Sequence, residues 1–418
     1  MKKIISFLIF LLSFSVFSQD KLSLEECYSL LYKNYPLVQQ NDLLEKQNVI
    51  DLEVIKTGKL PSLDFLAQAT YQSDVTKIPI AIPNNPVEPP NKDQYKVNVS
   101  INQLIYNGGL IEASASVKKA DLKTHQQQIE VNLYQLKSSV NQLYFSILLN
   151  QDKGALLSAK KNLLDVKLKE VKSGIKYGML LPTSDKIIEA ELLKIQQQFN
   201  EINVSTKNLT STLSLLVGIE INSNTQLQTP EITTNLTTDI QRPEIELFQL
   251  QKEQVEAYKQ VISKKDNPKL IGFATGGYGN PGLNMLDNSF QTYYLAGIKL
   301  NWNVFDWNSS KKEQNSLQIN NDIIDNQQQL FKLNTSIELE QQLSEIEKLS
   351  SNIKEDEKII ELRKQILAAA DSQLKNGVIT SSAYITELTN LYEAENNLNK
   401  NKIQLLLAKI NYKTINGN

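Results

Sequence analysis

"INQLIYNGGL", Ile101–Leu110, changes its period within ten residues. Val97, Val99 and Ile101 alternate with Lys96, Asn98, Ser100 and Asn102, the pattern of a strand with one apolar face. Beyond Gly108-Gly109 lie roughly 65 residues without proline and almost without glycine, a helix-length span. A Gly-Gly between strand and helix is either a phosphate-cradling loop or a joint between two architectures. Its counterpart 199 positions later, "LNWNVFDWNS", has Asp306-Trp307-Asn308 in place of Asn107-Gly108-Gly109. Neither copy continues into the side chains of a phosphate loop, and asparagine substitutes for glycine at a left-handed turn. Gly108, Gly109, Trp307 and Asn308 therefore read as a strand-to-helix joint.

That counterpart is one of several. Pro36, Pro61 and Tyr71 recur 207 positions later as Pro243, Pro268 and Tyr278, and Tyr95, Gly178 and Gly218 recur 199 later as Tyr294, Gly377 and Gly417. The chain is two repeats of one plan, the second shorter by eight residues. The loss falls in the proline-rich "KIPIAIPNNPVEPPN", where a length change costs little. Strands are expected at about 61–72, 94–106, 268–280 and 292–305. Three alternate clearly, whereas "KLIGFATGGYG" alternates poorly. Nine to twelve residues suffice to cross a tilted bilayer core, and Tyr71, Tyr95, Tyr106, Tyr278, Tyr294, Trp302 and Trp307 cluster near strand ends as a girdle would. The same alternation also suits a half-buried soluble hairpin.

A long helix follows each hairpin. Leu157, Leu164 and Val171 keep a sevenfold phase in one, and Leu339, Ile346, Ile353, Ile360, Leu367 and Leu374 in the other. From about Gly109 to Gly174 and Ser309 to Asn376, each spans roughly 100 Å at 1.5 Å per residue. Glycine-containing turns follow, with Pro182 or Ser381 opening a return helix that runs to Gly218 or Gly417. The expected organisation is a signal peptide at 1–18, a first repeat at 19–218, a linker at 219–241 and a second repeat at 242–418. Each repeat is read as helix, two strands, long helix and return helix. The Thr/Asn-rich linker composition indicates an exposed segment.

Lys2-Lys3 and the apolar run Ile4–Phe17, with small residues at the cleavage positions, give the export signal. The formal charge, −2 for the chain and about −4 without those lysines, leaves no basic footprint for nucleic acid. One cysteine and one histidine supply neither a disulfide, a metal cluster nor a nucleophile–His pair. Cys27 and His125 read as helix-surface or interface residues, and no cofactor and no catalytic activity are expected.

The order and spacing of "LSLEECYSLLYKNYPLVQQ", "LPSLDF", "LIYNGGL", "YGMLLPTSDKIIEAE" and "LLVGIEI", with their second appearance, resemble the TolC-like outer-membrane channel family. The resemblance covers essentially the whole mature chain. It implies an α+β membrane protein: a homotrimer in which each protomer gives four strands to one 12-stranded outer-membrane β-barrel, continuous with a hollow periplasmic α-helical barrel. It implies a passive exit duct in efflux or type I secretion, with a periplasmic adaptor (membrane fusion) protein and an inner-membrane pump as partners. Closure in a trimer would remove the edges that four strands alone leave exposed in lipid.

By the same resemblance the helical turns, with Gly174, Gly178, Pro182, Gly377 and Ser381, meet the adaptor and narrow the entrance. The family's acidic ring after the second-repeat turn aligns with Ala383 and Thr386, so this chain departs from it. Glu387 is the nearest carboxylate there, and Asp185 lies close to the family's acidic position in the first repeat. Either is equally a solvated carboxylate favoured by a helix dipole. A soluble coiled-coil scaffold or adaptor without a pore is the alternative; an adaptor carries one hairpin, whereas here strand pair and helix pair are duplicated together.

Overall fold

The computed structural model describes residues 21–77, 89–223, 225–232 and 239–417. The signal segment, part of the proline-rich loop and part of the linker lie outside them. The chain divides into two compact units. One holds Asn41–Gln128 and Glu246–Gln328; the other holds the described residues of Met1–Gln40, Ile129–Ile245 and Gln329–Asn418.

The first unit is built on a sheet. β1 (Ser62–Tyr71), β2 (Asp93–Tyr106), β3 (Lys269–Asn280) and β4 (Gln291–Asn301) pair antiparallel in the order β1-β2-β3-β4. The register, Phe65 opposite Val99, Val99 opposite Gly276 and Gly276 opposite Tyr294, aligns the alternating residues of all four strands. One face carries Leu63, Phe65, Val97, Val99, Ile101, Ile298 and Leu300; the other, mainly polar, carries Asp64, Gln68, Lys96, Asn98, Ser100, Thr275 and Lys299 with Leu66, Ile271 and Leu295 among them. β3 is a full strand despite its poor alternation, because glycines fill both of its faces and Phe273 lies on the polar one. β4 stops at Asn301 rather than near 305. Its last partner is Lys269, and the next residue back, Pro268, has no N–H for the ladder. Helices α2 (Gln39–Thr57) and α5 (Pro243–Lys265) precede the two hairpins.

The second unit is helical. α1 (Leu24–Asn34) is held at its start by a capping box: Ser23 N–H donates to Glu26 Oε2 at 2.8 Å, and Glu26 N–H donates back to Ser23 Oγ. Leu24, Cys27 and Leu31 form its buried face. The first repeat thus begins with two helices joined by a 3₁₀ turn at Pro36–Val38, where one helix was expected. In the second repeat the matching Pro243 is the first residue of α5, where its missing N–H breaks no bond.

The long helices α3 (Leu110–Lys176) and α6 (Ser309–Lys375) have 67 residues each and contribute to both units; α4 (Ser184–Val217) and α7 (Ser381–Asn416) are the return helices. The helical unit has two cores. One joins the α1 face to Val140, Tyr144, Ile147, Leu213 and Val217; the other stacks Leu157, Leu164 and Val171 on Ile188, Ile195, Leu374, Tyr384 and Leu388. One expectation is narrowed here and one changes. Of the surface and interface readings of Cys27 the structure takes the second and places it in the core between helices, its thiol pushed up to about 12 by burial. The linker is not simply exposed: Ile221 and Leu227 enter the first core, and Leu227 bridges to Leu22. No described helix is long and apolar enough to cross a membrane.

Candidate functional site: sheet, joints and helical turns

Among the described residues of the sheet unit, β1 and β4 have no partner on their outer sides and nothing covers the apolar face. Leu63 and Phe65 are each 70% exposed, and Ile298 and Leu300 nearly as much. Such a face and two open edges are stable only against lipid or other protein. Tyr71, Tyr95, Tyr278 and Tyr294 gather at one end of this face, where Phe290 stacks on Tyr95 and Tyr278. Tyr106, Trp302 and Trp307 lie around the other end, near the helix starts.

Both joints adopt one backbone shape. Gly108 and Gly109 have φ of +70° and +84°, and Trp307 and Asn308 have φ of 56° and 60°. Glycine is required at 108 on two counts, since a Cβ would collide with Asn267, whose Nδ2 donates to Gly108 O at 2.8 Å. Asn308 fits the expected substitution; the left-handed Trp307 does not follow from residue preference. It is 79% exposed and packs edge-on against Phe305, and the cap beside it fixes the turn: Ser310 N–H donates to Asp306 Oδ2 at 2.7 Å. That hydrogen bond holds the Asp306 carboxyl below its usual range.

In the helical unit the two turns are also alike. Met179 N–H donates to Gly174 O and Gly178 N–H to Ile175 O; Val378 N–H donates to Gln373 O and Gly377 N–H to Leu374 O. Each is a Schellman ending with a left-handed glycine, Gly178 at +73° and Gly377 at +72°. Gly174 matches Gln373 of the second turn, and Leu180 folds over it to within 2.8 Å of where a Cβ would stand. Pro182 lies in the turn and α4 starts two residues later at Ser184, whereas α7 starts at Ser381 with Thr380 Oγ1 accepting from Ala383 N–H. The turns differ in what they display. Tyr177, Met179 and Leu181 are each at least 61% exposed at the first, and Val378 is 70% exposed at the second.

The two candidate carboxylates are each paired with a cation rather than with one another. Glu387 accepts from Arg363 of α6 at 3.2 Å and from Asn390. Asp185 lies 3.6 Å from Lys186, with its Oδ1 buried and unpartnered. Sequence reasoning missed a denser set of charges. Lys160, 6% exposed, donates to Glu191 at 2.8 Å and lies over the Tyr392 ring. Lys167, 4% exposed, donates to Glu170 and Asp371 and lies over Tyr384. Burial pulls the Lys167 ammonium down, but its bonds to Asp371 and Glu170 outweigh this and hold it up; burial likewise raises the Asp371 carboxyl, and its bonds from Lys167 and Lys375 outweigh that and hold it low. This ties α3 to α6. The signal was present in the heptad: Lys160, Lys167 and Gly174 fall three residues after Leu157, Leu164 and Val171, at positions that a plain coiled coil fills with apolar residues. Among the described residues no His/Cys/Asp/Glu group could hold a metal.

No protein-family model matches the chain, and no curated protein sequence does. Solved structures do. CusC, described for its transmembrane channel formation, is 12% identical with a TM-score of 0.69 over 94% of this chain and 92% of its own. The outer membrane protein VceC of Vibrio cholerae is 14% identical with a TM-score of 0.66, covering 94% of this chain and 96% of its own. The CmeC outer membrane channel of Campylobacter jejuni is 16% identical with a TM-score of 0.64, covering 96% and 86%. The TolC-like fold that the sequence motifs imply is thus the fold of this chain, shared almost end to end with these envelope proteins.

Proposed function

We propose that the chain is the outer-membrane exit duct of a tripartite efflux or type I secretion system. Three copies close a 12-stranded barrel in the outer membrane, with β1 of one copy pairing with β4 of the next, and their helices form the periplasmic barrel. The observation that carries this reading is the four-stranded sheet with one apolar face, one polar face and two open edges. Lipid outside, water inside and a neighbour at each edge meet all three conditions. No chemistry is assigned to the chain; energy comes from an inner-membrane pump through a periplasmic adaptor.

The adaptor meets the helical turns at Gly174, Gly178, Pro182, Gly377 and Ser381. The exposed Tyr177, Met179 and Leu181 favour the first turn as the stronger contact. The Lys167–Asp371 tie holds the two helical hairpins together near the turns, so its loss favours a wider entrance. Asp185 and Glu387 remain the selectivity candidates, each moderated by its cation partner.

Membrane fractionation followed by gel analysis with and without boiling tests the reading. A heat-resistant trimer in the outer-membrane fraction that conducts in planar bilayers is expected. A soluble monomer would instead support a periplasmic scaffold and end the channel reading.

A further inference from the structure

β3 breaks its alternation at Phe273 and at four glycines, and two of those irregularities form matched pairs with β4. Phe273 is directly opposite Gly297, and Gly277 is directly opposite Tyr293, both on the polar face. In each pair the ring lies across the glycine. A Cβ added at Gly277 would stand 2.5 Å from Tyr293 Cζ and 2.6 Å from its hydroxyl; one added at Gly297 would stand 3.0 Å from Phe273 Cζ. The Tyr293 ring could not keep its position over such an atom, and the Phe273 ring would have to give by a few tenths of an ångström. Tyr293 is the one β4 residue that is not exposed, whereas its neighbour Tyr294, on the apolar face, is 85% exposed. In the row Asn98–Gly277–Tyr293 across the sheet, the side-chain amide oxygen of Asn98 is buried without a partner.

Resting on the channel reading, we propose that Gly277 and Gly297 set the bore of the strand region. They give the Tyr293 and Phe273 rings space to lie flat on the lumen wall. The two pairs are four residues apart along the strand, about 13 Å, so they act at two depths. An aromatic ring on a strand otherwise stands roughly perpendicular to the sheet. In a closed ring of copies, each standing side chain would project toward the axis and obstruct it. The glycines therefore matter for the space they leave above the sheet, not for backbone freedom, since neither has a left-handed φ.

Single-channel recording in planar bilayers of purified trimers carrying Asp371→Asn, so that the helical entrance does not limit the current, tests this. Gly277→Ala is expected to lose conductance and Gly297→Ala to lose less, and Gly277→Ala combined with Tyr293→Ala to regain it. Tyr293→Ala alone reads the native ring without depending on the glycine variants. A flat ring predicts a slight rise, and a large rise would show that the ring already stands in the lumen and overturn the proposal. Unchanged conductance in both glycine variants would also overturn it while leaving the channel reading intact. An Asp371→Asn parent that inserts but never conducts would remove the channel reading, and this proposal with it.

Discussion

α3 and α6 are the same element of two repeats, equal in length and unequal in cover. α3 buries Val140, Tyr144, Ile147, Leu157 and Leu164 completely, partly beneath the capped helix α1. α6 encloses Leu374 near its end but leaves Ile319, Ile323, Leu330, Leu333 and Ile337 about half exposed. The first repeat supplies its own cover; in the proposed trimer, the second takes its cover from another copy. One substitution on each helix separates the two cases. Leu164→Ala is expected to cost about 2–5 kcal/mol through the cavity it leaves, read by thermal unfolding. Leu330→Ala is expected to leave protomer folding almost unchanged while lowering the temperature at which the trimer dissociates on a gel. Equal effects of both on protomer unfolding would refute the comparison.

The joints sharpen it further. Gly108→Ala places a Cβ against Asn267 in a left-handed backbone and is expected to cost about 1–3 kcal/mol. Trp307→Gly relieves the same conformation and is expected to stabilise its joint, because glycine reaches that region without a steric penalty. A loss of stability in both variants, measured by the same melt, would mean that Trp307 contributes more through Phe305 than its backbone costs.

At the helical turns, Asp371→Asn is expected to raise channel open probability by loosening α3 from α6. Acid should do the same. The Asp371 carboxyl is held below its ordinary value, so its contribution is present above about pH 4 and lost as pH falls through the lowered value. Lys167 stays charged throughout that range, because its own shift is upward. Currents recorded between pH 7 and 3 should show opening only at the acid end, and opening at neutral pH would place the tie elsewhere. The smallest effect is expected from Glu387→Gln and Asp185→Asn, a modest fall in cation selectivity. Unchanged selectivity in both would remove them as pore determinants.

Much of this was legible in the sequence for a physical reason. Repeats, heptads and alternation are long-range periodicities, and a helix of 67 residues advertises itself through many turns. What stayed hidden depends on contacts between elements. Phe273 and the glycines of β3 look irregular until β4 is placed opposite. Lys160 and Lys167 look like solvated charge until Glu191, Asp371 and two tyrosine rings surround them. Glu387 looks free until Arg363 arrives from α6. Trp307 in a left-handed turn defies its own preference because the flanking Asp306 cap imposes the bend.

Both joints share a main-chain shape, but only one carries a large side chain through it. In a ring of three copies the six corners between strand and helix would trace a sixfold backbone, while the indole of Trp307 appears at every second corner. Three spaced indoles at the headgroup level would fix the depth and tilt of the assembly, as three legs fix a stool. The alternate corners, bare at Gly108-Gly109, offer lipid no indole and only the Tyr106 ring of the strand end, so the assembly would sit in the bilayer as a threefold object.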